Sequence, residues 1–302
     1  TVTGNYNYTW SAYGNGTSHL FNMSDTRSYT INASVDTSYP IFSNFISSPV
    51  NASNYVNGAT YRFNTTLVNT NGTAGLSFNN SNYTATNSSN NFTVNLGNLG
   101  AGTYNYYWWA YGNGTSRLYN TTQTYYYTIN KSILTGNLTK TTSWTVTYPT
   151  QTNISHAESN LGDNDVVYKI YRDNADKGSG ENITLGVGTY NYILNSTGGA
   201  NYSANSSISA QTLTVNQGIP SGNLLNITSR NLSYQQPFNF TINETNTGDN
   251  DLTYKVYRNN IDISSEAGTN VILGVGEYEY ILNTTGGVNW TSNSSMFKFN
   301  VT

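Results

Sequence analysis

Apolar and polar residues alternate along most of the chain with a period of two. Near the start, Tyr6, Tyr8 and Trp10 are separated by Asn7 and Thr9. The same alternation recurs in later runs at 61–67, 190–195 and 238–243. Successive side chains of a β-strand point to opposite faces, so this pattern predicts half-buried strands with one face in a core and the other in water. No stretch has the spacing of an amphipathic helix.

Internal repetition divides the sequence. Residues 4–32 reappear at 102–130 with an offset of about 98 residues. A second pair of repeats, 162–188 and 248–276, is offset by about 86 to 88 residues. Self-similarity at a fixed offset indicates tandem structural units.

These repeats predict three whole units, 36–133, 134–218 and 219–302, and a partial unit, 1–35, that matches only the last third of 36–133. Units of roughly 85–100 residues with short alternating strands and Gly or Asn turns are typical of Ig-like β-sandwiches. We therefore predict an all-β protein of tandem Ig-like domains arranged as a rod. We expect residues 1–35 to be the C-terminal strands of a domain that upstream residues or another subunit complete.

Two acidic dipeptides, Asp163-Asn164 and Asp249-Asn250, lie between alternating runs and tolerate the left-handed backbone of a tight turn. A hairpin centred on each predicts two cross-strand ion pairs, Glu158 with Lys169 and Glu244 with Lys255. The alternative is a Ca²⁺ site on Asp163 and Asp165. No ligand loop with a distal Glu follows, which favours the plain turn and leaves calcium as the open alternative.

Charge and titratable residues argue against several kinds of chemistry. Charged residues are 9% of the 302 residues and the net charge is −3, so we expect no nucleic-acid partner. Cysteine is absent, and no apolar run is long enough to span a bilayer. His19 and His156 have no second ligand at metal spacing, and Glu277 and Glu279 share one outward strand face. We predict no catalytic, cofactor-binding or metal-binding residues, and a protein that is not an enzyme.

The sequence is rich in N-glycosylation sequons. It has 28 Asn-x-Ser/Thr sequons, whereas random placement at this composition would give roughly 12. Many of their asparagines fall opposite the apolar positions of their strands, where a glycan would project into water. The alternative is that Asn and Thr are merely uncharged surface residues, but the excess favours N-linked glycans. The predicted sites are Asn7, Asn15, Asn32, Asn64, Asn71, Asn91, Asn113, Asn130, Asn195, Asn201, Asn239, Asn243 and Asn283.

Aromatic residues are densest at 104–111. Trp108 falls on the buried phase of its strand, while Tyr107 and Trp109 fall on the other. Exposed aromatic side chains can stack on sugars or pack against a neighbouring subunit, and the alternative is packing within the domain. The related hairpin in 1–35 needs an opposite sheet, since an isolated hairpin is marginal in water. The predicted subunit contacts are Tyr6, Tyr8, Trp10, Tyr29, Ile31, Tyr107 and Trp109.

Two segments resemble a known family. They are Gly-Thr-Tyr-Asn-Tyr-Tyr-Trp-Trp-Ala-Tyr-Gly-Asn-Gly-Thr-Ser at 102–116, and Thr-Leu-Gly-Val-Gly-Thr-Tyr-Asn-Tyr at 184–192 with Asn195-Ser196-Thr197-Gly198-Gly199. They look like the tandem Ig-like repeats of archaeal cell-surface proteins, and the resemblance covers nearly the whole chain. It implies a surface-layer, adhesin-like or filament component, often glycosylated, with no catalytic residues to carry over.

The sequence therefore favours a structural glycoprotein that is extracellular or on the cell surface. A contact in which one copy completes the partial unit of the next is head to tail and does not close on itself, so it predicts a homopolymeric filament. The alternative is the stalk of a monomeric adhesin that presents a glycan-binding or protein-binding tip. A third class, an enzyme with Ig-like accessory domains, would need a catalytic domain that these residues do not supply.

Overall fold

The computed structural model of the chain describes residues 2–225, 231–246 and 248–302. The predicted all-β class is confirmed, because these residues form 31 strands and one short 3₁₀ turn, Ser264–Glu266, with no α-helix. The chain separates into two compact units, Thr1–Asn130 and Lys131–Thr302. Within the described ranges, no helix has the length and hydrophobicity needed to cross a membrane. The finer domain borders stay predictions.

The first unit opens with two antiparallel strand pairs. Its strands are β1 (Gly4–Tyr8), β2 (Ser11–Tyr13), β3 (Phe21–Met23) and β4 (Arg27–Ile31). Strand β1 pairs with β4 and strand β2 with β3. Gly4 lies opposite Ile31, and the repeated residues Gly102 and Ile129 lie opposite each other in the same way. The repeat in sequence is therefore also a repeat of strand register.

Two sheets follow in the same unit. Their strands are β5 (Ile41–Ser48), β6 (Ser53–Asn54), β7 (Thr60–Val68), β8 (Thr70–Phe78), β9 (Ser81–Thr84), β10 (Thr86–Ser88), β11 (Asn91–Gly97), β12 (Gly102–Gly112), β13 (Tyr119–Thr121) and β14 (Tyr125–Asn130). One sheet has the order β10-β11-β7-β5, and the other has the order β6-β14-β12-β8-β9 with β13 also paired to β12. Strands β6 and β14 run parallel.

Alternate residues of these strands meet in an aromatic core. Tyr61 and Phe63 of β7 contact Tyr127 of β14 edge to face, with ring centroids 6.0 and 5.0 Å apart. Trp108 of β12 is buried in the same core. Burial of one large apolar side chain contributes about 1.5–3 kcal/mol, and an edge-to-face ring pair adds about 0.5–1.5 kcal/mol. The period-two pattern thus supplies the packing that holds the two sheets together.

The second unit begins with two more sheets. Their strands are β15 (Gly136–Lys140), β16 (Thr145–Thr147), β17 (Gln151–Glu158), β18 (Tyr168–Arg172), β19 (Ala175–Asp176), β20 (Glu181–Thr184), β21 (Gly188–Ser196) and β22 (Asn205–Asn216). The sheet orders are β15-β17-β20 and β16-β22-β21-β18-β19. Strand β16 runs parallel to β22.

The last strands repeat this arrangement. They are β23 (Gly222–Leu225), β24 (Asn231–Leu232), β25 (Pro237–Phe238), β26 (Thr241–Glu244), β27 (Tyr254–Arg258), β28 (Ile261–Asp262), β29 (Val271–Ile272), β30 (Gly276–Thr284) and β31 (Asn293–Val301). Strand β23 pairs with β26, β25 pairs with β29, and the larger sheet has the order β24-β31-β30-β27-β28. Strand β24 runs parallel to β31, as β16 does to β22.

The predicted hairpins at Asp163-Asn164 and Asp249-Asn250 are wrong. Strands β17 and β18 lie in different sheets, as do β26 and β27, so the intervening loops are crossovers between sheets. The four charged residues therefore have other cross-strand neighbours: Glu158 lies opposite Gly136, Lys169 opposite Asn195, Glu244 opposite Gly222 and Lys255 opposite Asn283. Two strands of different sheets share no ladder, which excludes the predicted ion pairs.

The tight turns lie one strand later, at Asp173-Asn174 and Asn259-Asn260. Both residues of each turn have positive φ, 48° and 69° in the first and 45° and 68° in the second. Positive φ at both central residues is the type I′ geometry that matches the twist of a hairpin, and Asn and Asp tolerate it best. Across these hairpins the ammonium groups of Lys169 and Lys255 form the exposed ion pairs, with Asp176 at 2.7 Å and Asp262 at 3.2 Å.

Candidate functional site

An open apolar face lies on the hairpin of residues 1–35. We define this open face by Tyr6, Tyr8, Trp10, Tyr29 and Ile31. The Trp10 side chain is 72% exposed and Tyr29 is 62% exposed, while Ile31 is half-buried. No described residue packs over these rings as the opposite sheet packs over the equivalent face of 102–130. All five predicted contacts of this hairpin therefore lie together on one accessible surface.

The other two predicted contact residues lie on the outer face of β12 and are half-buried. The Trp109 indole covers Gly75 of the neighbouring strand, and a Cβ added to Gly75 would stand 2.4 Å from Cζ2 of Trp109. Tyr111 meets the Trp109 ring edge to face, with centroids 6.3 Å apart. Burial, together with nearby Tyr107 and Tyr111, raises the pKa of Tyr119 on the adjoining strand β13. Trp109 and Tyr111 thus pack on their own sheet, and Tyr107 is half-buried on the same face.

The predicted glycosylation sites are all at least partly accessible. Eight are exposed: Asn7, Asn15, Asn32, Asn71, Asn91, Asn113, Asn130 and Asn243. Five are half-buried: Asn64, Asn195, Asn201, Asn239 and Asn283. None of the thirteen is in a core, so each position meets the steric requirement for a glycan to some degree.

Three of these asparagines donate a hydrogen bond from the side-chain amide to a main-chain carbonyl. Asn130 donates from Nδ2 to the Ala52 carbonyl at 2.7 Å, and Asn201 donates to the Gly162 carbonyl at 3.1 Å. Asn239 donates to the Gly268 carbonyl at 3.2 Å. An N-linked glycan replaces one of the two amide hydrogens, so these sites are less favourable for modification than Asn7 or Asn15.

The two histidines and Glu279, which were candidates for catalysis or metal binding, lie in a turn, a ring stack and an ion pair. His19 and Arg117 occupy the same left-handed turn position, with φ of 36° and 46°, so this site selects for backbone conformation rather than for an imidazole. The His156 ring stacks on Tyr168 with centroids 5.2 Å apart. Glu279 forms an ion pair with Lys298 at 3.1 Å on an open strand face. Among the described residues, no three His, Cys, Asp or Glu side chains gather as metal ligands.

The acidic loop at Asp163 and Asp165 contacts a glycine-rich loop between β21 and β22. Asp163 accepts a hydrogen bond from the Asn201 main-chain N–H at 2.6 Å, and Asp165 accepts one from Ala200 at 3.0 Å. A Cβ on Gly199 would stand 2.3 Å from an Asp165 oxygen. Burial, followed by the hydrogen bond that the protonated Asp163 carboxyl donates to the Asp165 carboxylate, raises the pKa of Asp163. These two carboxyls fix the shape of the opposite loop, and the calcium alternative stays a prediction.

The same clamp recurs at Asp249 and Asp251. Asp249 accepts from the Asn289 main-chain N–H at 2.6 Å, and Asp251 accepts from Val288 at 3.2 Å. Gly287 leaves the room that both carboxylates need, because its Cβ would stand 2.4 Å from an Asp251 oxygen. The clamp presents the next two side chains, Asn289 and Trp290, at the tip of the loop.

Asn289 and Trp290 join the two halves of the second unit, in a contact we call the loop joint. Oδ1 of Asn289 accepts a hydrogen bond from the Val187 main-chain N–H at 2.8 Å. The Trp290 ring meets Tyr148 edge to face, with centroids 5.2 Å apart, and it belongs to the core cluster of the preceding sandwich. The main chain of Gly218 exchanges hydrogen bonds with this loop, donating to Asn289 at 3.0 Å and accepting from Thr291 at 2.8 Å.

Sequence reasoning missed the loop joint. The repeat keeps the same turn sequence at Leu185-Gly186-Val187-Gly188 and Leu273-Gly274-Val275-Gly276, but nothing in these residues indicates that the first turn receives a loop from the next sandwich. Asn289 also belongs to a sequon, but both ends of its amide are used, since Nδ2 donates to the Gly248 carbonyl at 3.1 Å. We expect this sequon to be unmodified for that reason.

No protein-family model matches the chain, and no curated protein matches it. Solved structures with similar folds include the fibronectin(III)-like modules of CbhA from Clostridium thermocellum, at 12% identity and a TM-score of 0.25 over 58% of this chain and 95% of that chain. They also include a 1.5-MDa bacterial ice-binding adhesin, at 10% identity and a TM-score of 0.27 over 81% of this chain and 91% of that chain. The I9–I11 tandem from titin is similar at 11% identity and a TM-score of 0.24, over 81% of this chain and 94% of that chain.

Proposed function

We propose that this protein is a structural subunit of a heavily N-glycosylated extracellular or cell-surface assembly, in which copies join head to tail as a filament. The observation that carries the proposal is the open face of 1–35, whose counterparts in 102–130 form a core. A surface with the sequence and register of a core hairpin is suited to receive the strands that such a hairpin normally packs against.

Burial of the open face would favour association. Because Tyr6, Tyr8 and Ile31 are already more than half covered, covering the rest of the five side chains would contribute on the order of 5 kcal/mol from apolar burial. Association of two proteins costs an estimated 4–15 kcal/mol in lost freedom of motion. Strand addition would also supply main-chain hydrogen bonds along β1 or β4, which add to the gain from apolar burial. A contact that uses different surfaces of the two partners propagates instead of closing.

The outer surface supports the second part of the proposal. The thirteen asparagines singled out as glycosylation sites all have exposed or half-buried side chains, and only 9% of the residues are charged. Glycans on such a surface would supply the hydration that charged side chains supply in an ordinary domain. The candidate chemical residues sit in turns, stacks and ion pairs, which favours construction over catalysis.

Negative-stain microscopy of the purified protein tests the assembly. We expect regular fibres, and we expect them to disappear when residues 1–35 are deleted. A matched pair of variants localises the effect: Tyr6→Ser with Trp10→Ser on the open face should abolish fibres, whereas Asn7→Ser with Thr9→Ser on the other face should not. Fibres that survive deletion of 1–35 would contradict joining through this hairpin, and single particles throughout would favour the alternative of a monomeric adhesin stalk.

Intact mass of the protein purified from its source organism tests the glycans. The polypeptide alone is 33.1 kDa, and we expect a heterogeneous mass well above that value. Peptide mapping should place sugars on exposed positions such as Asn7 and Asn15 and should find Asn289 bare. A single mass close to that of the polypeptide would remove the glycoprotein part of the proposal.

A further inference from the structure

The loop joint has an open counterpart at the other end of the last sandwich. We propose that the surface formed by Tyr234, Gly274 and Val275, which we call the Tyr234 surface, docks one loop of a further Ig-like domain. This loop is equivalent to the loop between β30 and β31, and in it Asn is followed by an aromatic residue. This inference goes beyond the proposed filament, because it assigns a binding surface remote in sequence from residues 1–35 and names the side chains that fit it.

The Tyr234 surface repeats the geometry of the surface that receives Trp290. The Tyr148 main-chain N–H donates to the Asn216 carbonyl at 2.9 Å, and that of Tyr234 donates to Thr302 at the same distance. The adjoining turn is also the same, since the hydroxyls of Tyr190 and Tyr278 donate to the Gly186 and Gly274 carbonyls, each at 3.0 Å. The receiving surface is therefore already formed.

The two surfaces differ in solvent exposure because, among the described residues, a loop packs on one and not on the other. Tyr148 is 9% exposed beneath Trp290, whereas Tyr234 is 55% exposed. Val187 is half-buried and donates its N–H to Asn289, whereas Val275 is 69% exposed. In the described part of the chain, no acceptor bonds to the N–H of Val275. An apolar ring and a main-chain donor are thus left together in the arrangement that Asn289 and Trp290 satisfy on the preceding sandwich.

The repeat identifies the chemistry of the occupant. The matching surface within this chain takes an amide oxygen on a main-chain N–H and an indole on a tyrosine ring. The described ranges hold two loops of this type, at Asn201-Tyr202 and Asn289-Trp290, and the aromatic ring of each is already buried. The described part of a second copy therefore has no such loop free, and we assign the occupant to an additional Ig-like domain joined in tandem.

Extension of the chain tests this assignment. A second copy of residues 217–302 attached directly after Thr302 places the loop where the Gly218 linker places it in the native joint. We expect amide hydrogen exchange at Val275 to slow at least about tenfold, because the appended Asn289 would accept its hydrogen bond. The measurement is made at a concentration where single particles are seen, so its failure would not bear on filament formation or on glycosylation.

Two controls separate docking from mere attachment. Asn289→Ala with Trp290→Ala in the appended copy alone, or Tyr234→Ala in the receiving sandwich, should return Val275 to the exchange rate of the unextended chain. Protection of the core amides in the appended copy verifies that it is folded; if it is not, extension with the whole unit 131–302 replaces it. An unchanged Val275 rate beside a folded appended domain, or equal slowing in the controls, would overturn the proposal.

Discussion

The hairpins at 1–35 and 102–130 share sequence and register but differ in burial. Trp10 is 72% exposed and its counterpart Trp108 is 1% exposed; Tyr29 is 62% exposed and its counterpart Tyr127 is 1% exposed. Strand pairing in both places sets Gly4 or Gly102 opposite an isoleucine. Local sequence therefore determines which residues pair and which face is apolar, whereas cover is supplied by strands elsewhere.

This contrast defines two kinds of apolar surface. A covered face contributes to stability because water has already been excluded from it. An open face of the same composition contributes little to the stability of the isolated chain, and under the proposed function its burial would be gained on association. Paired substitutions at equivalent positions separate the two, since each pair changes the same side chain in different surroundings.

Trp108→Ala should have the largest effect. Removal of a fully buried Trp side chain from a packed core costs about 3–5 kcal/mol, and we expect that loss in the stability of the strands around β12. Trp10→Ala should change the stability of the isolated chain by less than about 0.5 kcal/mol. Amide hydrogen exchange of β12 and β1 measures each region separately, which matters because a chain with several units need not unfold in one step. Equal losses of stability in the two variants would contradict the difference in burial between Trp108 and Trp10.

Trp290→Ala should follow, with a loss of about 3 kcal/mol from the core that receives the ring. The effect should appear in exchange of amides near Tyr148 and Val187, on the sandwich that does not carry the substitution. Val288→Ala is the matched control, because that side chain is 63% exposed on the same loop. If Trp290→Ala leaves the amide of Val187 as protected as before, the loop joint does not stabilise the preceding sandwich.

Tyr127→Phe should have a smaller effect. The Tyr127 hydroxyl donates to the Pro49 carbonyl at 2.8 Å, and such a hydrogen bond contributes about 0.5–1.5 kcal/mol. Tyr29→Phe removes a hydroxyl from the open face and should be neutral in the isolated chain. Amide hydrogen exchange in β14 and β4, measured as denaturant is added, compares the stability lost in Tyr127→Phe with that lost in Tyr29→Phe. A loss at Tyr29 as large as that at Tyr127 would show that the open face is not open.

A pH effect confined to one loop should be the smallest. Asp36 accepts hydrogen bonds from the main-chain N–H groups of Ser38 at 3.0 Å and Ser116 at 2.7 Å, and these hold its pKa below the ordinary value. Because the folded pKa is depressed, the stabilisation is complete above the unfolded pKa of about 3.9 and is lost as pH falls through the folded value. The Ser116 amide resonance should therefore shift in acid.

The equivalent amide of Ser18 provides the control for that titration. It lies in the same turn sequence in the partial unit, and no carboxylate accepts from it in the described ranges. Its resonance should not follow the titration seen at Ser116. If Ser18 and Ser116 titrate alike, Asp36 is not the cause of the shift. The same holds if the acid shift of the Ser116 resonance persists in the Asp36→Asn variant.

The fold was largely predictable because its signals are local. Alternation at Tyr61 and Phe63 shows which face of β7 is buried, and repetition of Gly4 at Gly102 carries the register with it. The tight turns were predicted one strand too early because Asp163-Asn164 and Asp173-Asn174 have the same local preference for positive φ. The pairing of distant strands decides that the loop at Asp163-Asn164 connects two sheets, whereas the turn at Asp173-Asn174 closes a hairpin.

The candidate surfaces were predictable in part for the same reason. Which side of β1 is apolar follows from its period of two and from its match to 102–108, both readable in sequence. The loop joint was not predicted, because Trp290 packs on Tyr148 across 142 residues of chain (290 minus 148) and no periodic pattern surrounds it. The group that bonds the Asn289 amide is the main-chain N–H of Val187. Every residue except proline has such a group, so the sequence does not reveal it.

The parallel pairing of β16 with β22 has a mechanical consequence. One strand lies near the entry of its sandwich and the other near the exit, and they point the same way. Tension that pulls the chain apart at Thr145 and Asn216 therefore slides the two strands past each other and strains all the hydrogen bonds of the pair at once. Peeling, which would break them in succession at much lower force, is not the mode of failure that this geometry permits.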